Sequence, residues 1–98
     1  MPLRSIRQEP GVEEQLKALG IGYERFDDLM GYVSEVLSQH PEMFPVIVGT
    51  RISICRTNEF AGGSFRDIPS LAIYYHFDEQ MVQIISIESS HLESYEIR

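Results

Sequence analysis

Three arginines, Arg51, Arg56 and Arg66, fall in one short stretch of this chain, with a single acid, Glu59, among them. A guanidinium is a planar fork that grips a phosphate or carboxylate at two oxygens. Further on, His91 and Tyr95 carry groups able to act as general acid or base, provided the tail folds back beside those arginines. One reading is therefore an anion site, with Arg51, Arg56 and Arg66 gripping the anion and His91 and Tyr95 beside it as general acid or base. The plainer reading is a set of surface ion pairs, each worth little.

Other chemistries have weaker support. His40, His76, His91 and Cys55 are the soft or borderline metal ligands, and none stands at a ligand spacing such as C-x-x-C or H-x-x-x-H. No metal site and no cofactor are expected. A histidine before Pro41, at a helix end, is favoured there by the helix dipole alone. A nucleophilic Cys55 would need a neighbouring cation, and Arg56, next to it on a strand, points to the opposite face. Cys55 reads instead as a small buried hydrophobe. Ala61-Gly62-Gly63-Ser64 lacks the lysine and the strand–helix setting of a phosphate loop. Tyr23, Tyr32, Phe65 and Tyr74 could line a partner groove, since aromatics carry much of the energy of interfaces. Tyr75 is assigned to the core.

Charge limits the partners. The 98 residues include 8 basic and 15 acidic ones, for a net charge of -7. Such a body repels polyanions at long range, so general nucleic-acid binding is disfavoured and any anion site must be local. From Asp67 to Ile97 there are six acids and no lysine or arginine. Hydrophobic residues make up 43%, which is ordinary globular usage rather than disorder. The length suits a single domain, 1–98. No apolar run is long enough to span a bilayer, and the N-terminus has no signal-peptide core. One cysteine rules out an internal disulfide, so a cytoplasmic location is expected.

The elements that must position these residues follow from periodicity. A short strand is expected over Leu3–Arg7. Pro10 can open a helix, because its missing N–H is not needed there. Val12, Leu16 and Leu19 then share one helical face, with Gly20 as a stop. Phe26, Leu29, Met30, Val33 and Leu37 form a longer apolar stripe, with Glu24, Asp27, Asp28 and Glu35 off it. His40-Pro41 ends that helix. Val46–Val48 and Ile52–Cys55 read as strands around a turn or bulge at Gly49-Thr50, and Phe60–Ser64 as a loop tip. Leu71, Ile73, Tyr75 and Phe77 alternate with polar or smaller residues, a clear strand. After Asp78-Glu79-Gln80 a second strand runs Met81–Ile87, with Met81, Ile85 and Ile87 on one face. The two strands should pair as an antiparallel hairpin. The fold class is α+β: a strand, a helical hairpin and a β-meander, with both helices on one face of an antiparallel sheet.

With that order, the chain resembles the RelE/ParE superfamily, the toxins of type II toxin–antitoxin systems. Glu9-Pro10 followed by Val12, Leu16 and Leu19 is similar to the family's proline-started first helix. Leu37-Ser38-Gln39-His40-Pro41 is similar to the end of its second helix. Phe65-Arg66 followed by Leu71–Phe77 resembles its third strand and the arginine leading into it, and Val82–Ile87 resembles its last strand. The resemblance implies a toxin-like component acting on translation or RNA. Arg66 matches the family pattern, Arg51 and Arg56 lie on the matching strand, and His91 and Tyr95 fall in the region of the family's C-terminal His or Tyr.

The chain departs from the family at the cations. Ribonuclease members usually carry an arginine where Ala72 stands, and a basic turn where Glu88-Ser89-Ser90-His91 stands. The family's toxins also tend to be basic. The resemblance thus implies an antitoxin-like or other basic partner segment held in a groove of the sheet and helical hairpin, with RNA or ribosome contact. The alternative is a non-enzymatic protein-binding module on the same scaffold.

Overall fold

The computed structural model describes residues 4–19, 23–57 and 70–89. The elements, in order, are β1 (Ser5–Gln8), α1 (Val12–Ala18), α2 (Tyr23–Gln39), a 3-10 turn over Pro41–Met43, β2 (Ser53–Arg56), β3 (Leu71–Phe77) and β4 (Met81–Ser89). This is an α+β layout. The four strands form one sheet in the order β1-β4-β3-β2. The meander β2-β3-β4 is antiparallel, while β1 adds beside β4 in parallel. The sheet is therefore mixed rather than wholly antiparallel. The two helices between β1 and the meander give the chain the long crossover that a parallel pair requires.

Gly11 precedes α1 with a φ of 99°, a conformation that costs glycine little. Val12 and Leu16 are buried, Leu19 is half-buried, and Glu13 and Glu14 sit in the first turn where the dipole favours acids. In α2, Leu29, Met30, Val33 and Leu37 are buried as their spacing requires, and Asp27, Asp28 and Glu35 are exposed. α1 lies against β4, and α2 against β1 and β4. The main core joins these helix residues to Phe44, Cys55, Leu71, Ile73, Tyr75, Val82, Ile84 and Ile87. It fills the space between the helices and the sheet.

The face of β4 differs from the alternation read along its sequence. Tyr75 pairs with Ile84 but Tyr74 pairs with Ser86, so Ile85 is an extra residue, a β-bulge. Val82 and Ile84 face the helices before the bulge, and Ile87 after it. Ile85 and Met81 are only half-buried. One inserted residue reverses the parity of everything beyond it.

A β-hairpin precedes and includes β2. Val46 bridges Ser53, the Ile54 N–H donates to the Pro45 carbonyl at 2.9 Å, and the Ile47 N–H donates to the Ile52 carbonyl at 2.8 Å. Gly49 turns the chain with a φ of 81°. The Thr50 hydroxyl donates to the Ile47 carbonyl at 2.9 Å and accepts the Ile52 N–H at 3.0 Å, closing the turn. On the sheet face away from the helices, a smaller cluster gathers Ile47, Ile54, Ala72 and Tyr74, with Ile52 against it.

Candidate functional site

The sheet's two faces divide the chemistry. Residues of one parity feed the core beneath α1 and α2, and those of the other parity define the opposite face, which neither of these helices covers. Arg56, Ala72 and Glu88 stand in one row across β2, β3 and β4 on that second face. Ala72 is fully buried, while Arg56 and Glu88 are half-buried at either side of it. The Tyr74 hydroxyl donates to Glu88 Oε1 at 2.5 Å, a short contact to a carboxylate. Tyr74 thus leaves the main core, as strand alternation requires. It is nevertheless buried, in the second cluster, and does not line an open groove.

Of the sequence-predicted site residues, Arg56 alone joins this row. Arg51 is exposed on the hairpin turn just before β2, and not on the strand itself. Five residues of extended chain would separate the two by about 16 Å, too far for one anion. Arg66, His91 and Tyr95 lie outside the described residues, as do Glu59, Phe65 and the expected loop tip Phe60–Ser64.

A second row on the face opposite α1 and α2 was not singled out from the sequence. Arg7 pairs with Gln83, and Gln83 with His76. Ile6, Val82 and Phe77, their chain neighbours, pack toward the helices. Arg7, Gln83 and His76 therefore share the other face. Arg7 and His76 are exposed, and Gln83 is half-buried. No spacing along the chain links residue 7 to residues 76 and 83; only the parallel docking of β1 does.

At the same end of the sheet, Arg4 ties the start of β1 to the β3–β4 turn. Its Nε donates to the Asp78 carbonyl at 2.7 Å, and its guanidinium lies 5.6 Å from the centre of the Phe77 ring. Asp78 Oδ1 accepts the N–H groups of Gln80 at 2.7 Å and Met81 at 2.8 Å. Those two backbone hydrogen bonds, with smaller help from Arg4 and His76, hold the Asp78 carboxyl below its usual range. On the other face, the buried Tyr75 hydroxyl donates to the Pro41 carbonyl at 2.5 Å. Burial chiefly, aided by the neighbouring Cys55 and Glu42, pushes the Tyr75 phenol well above its usual value against a lowering hydrogen bond from Ser53.

Cys55 is fully buried in the main core, on the face opposite Arg56. Among the described residues no three of His, Cys, Asp or Glu come together as a metal cluster. No described helix is long and apolar enough to cross a membrane. No protein-family model matches this chain, and no curated protein matches it significantly.

Proposed function

We propose that this chain is a divergent RelE/ParE-like toxin component of a type II toxin–antitoxin pair, acting on translation or RNA in the cytoplasm. The observation supporting this reading is topological. The N-terminal strand leads into α1 and α2, then a three-stranded meander, and these two helices pack on one sheet face. In this reading Arg66, with His91 or Tyr95, does the catalytic work and Arg56 holds an anion nearby. A basic antitoxin-like segment is the partner, drawn by the net charge of -7.

One observation favours a second reading, a non-enzymatic protein-binding module. At the row where the family's ribonucleases keep cations, this chain has Ala72 and a carboxylate, Glu88, that receives the Tyr74 hydroxyl. An anion aimed at a phosphodiester opposes the charge that develops during cleavage. Cleavage of free RNA should accordingly be weak.

Induced expression of the chain alone distinguishes the two. The toxin reading expects growth arrest, relieved by Arg66→Ala or by His91→Ala. Unimpaired growth at high, soluble expression overturns it and leaves the binding module.

A further inference from the structure

We propose that the sheet face opposite α1 and α2 carries a binding site for a small phosphate monoester at the end of the sheet nearest the β3–β4 turn, formed by Arg7, Gln83 and His76. The three side chains come from three adjacent strands in one register row, Arg7 beside Gln83 and Gln83 beside His76. At the usual interstrand spacing the outer two are about 10 Å apart at Cα, with Gln83 between them. A guanidinium fork on one side and an imidazole on the other can close on a single tetrahedral anion at that width. The Gln83 amide supplies a donor from the floor. Arg7 and His76 are exposed, and the side chain of neither makes a hydrogen bond or salt bridge with another described residue.

The ligand class follows from charge and size. A phosphate monoester is close to a dianion at neutral pH, and offers two oxygens to the fork and a third to an imidazolium. A long polyanion is excluded by the acidic body, whereas one small anion meets only the local field. Among the described residues, the charged groups around His76 are few. Arg7 lies across Gln83, and Arg4, Asp78 and Glu79 lie at or beside the adjoining turn. Apolar Ile52 and, before it, Arg51 lead into β2 at the same end of the sheet. α1 and α2 lie on the far face. The Asp78 carboxylate opposes the ligand, but its Oδ1 is held by two backbone N–H groups and Arg4 stands beside it.

This inference does not depend on the toxin reading, and its test does not use toxicity. The full chain is titrated at low salt with inorganic phosphate and, separately, with a nucleoside 5′-monophosphate, following backbone amides, Arg Nε and His ring signals by NMR. Saturable shifts are expected at Gln83, Arg7 and His76 together. Arg7→Gln should weaken binding about tenfold or more, the loss expected for a charge-assisted contact. His76→Asn should weaken it and abolish the coupled ring shift, while Lys17→Gln, on the exposed side of α1, should change nothing. Tighter binding of the nucleotide would identify a nucleotide ligand; equal binding would identify phosphate itself. Absence of shifts at these residues at millimolar ligand overturns the proposal. So does binding that maps elsewhere, or affinity indifferent to Arg7→Gln.

Discussion

Tyr75 places a polar group at the bottom of the main core and satisfies it with one carbonyl, that of Pro41. Its replacement by Phe should leave that buried carbonyl without its donor. The expected cost is about 1–3 kcal/mol, read from the urea midpoint. The sign with pH also follows. The phenol's folded-state value is raised above the ordinary 10.0, so its contribution is complete below pH 10 and is lost as pH rises beyond it. Wild-type protein should therefore lose stability between pH 9 and 11 by more than Tyr75→Phe does. Equal losses would show that Tyr75 is not the responsible group. Asp78 works in the opposite direction. Its carboxyl is lowered, so its contribution is complete above the ordinary Asp value of 3.8 and is lost as pH falls through the folded-state value. Asp78→Asn keeps an oxygen for the two turn amides but cannot ionise. It should retain the fold at pH 7 and flatten the acid limb of a stability–pH curve, whereas Asp78→Ala should destabilise the turn at every pH.

At the scale of elements, β4 is the organising strand. It is longer than β1, which pairs only as far as Gln8 with Ile84. Past that point the Ile87 N–H is met by a side chain, donating to Gln15 Oε1 of α1 at 2.9 Å. A helix side chain thus takes the place of a strand at the edge of the sheet, just beyond the bulge. Gln15→Ala should cost about 1 kcal/mol and raise hydrogen exchange at Ile87 far more than at Ile73 across the strand pair. Unchanged exchange at Ile87 would assign the protection to something other than Gln15. The bulge itself explains why the alternation of β3 was legible from Leu71 to Phe77 and that of β4 was not. β3 keeps parity throughout, whereas β4 changes it at Ile85.

For the whole molecule, stability rests on the core formed by the helix stripe and the inner sheet face. No described cluster of metal-ligating side chains takes part in it. Chelator treatment should leave the melting temperature unchanged, and a large drop on chelation would reveal a metal-dependent fold. The net charge of -7 disfavours extended polyanions at long range, so any anion bound must be met by a local site.

Features that depend on short-range periodicity were legible in the sequence. The stripe Leu29, Met30, Val33 and Leu37, the break at His40-Pro41, the Gly49-Thr50 turn and the strand Leu71–Phe77 each follow from contacts made within a few residues. The order of elements, and with it the α+β class, could be read in the same way. Which strands lie side by side, and in what register, came only with the folded structure. Parallel docking of β1 on β4 brings Arg7 beside Gln83 and His76. The meander's register lines Arg56 up with Ala72 and Glu88, and leaves Arg51 on a turn away from them. These juxtapositions join residues separated by most of the chain. They are set by how the inner faces of all four strands bury together under the helices, a requirement that no local window contains.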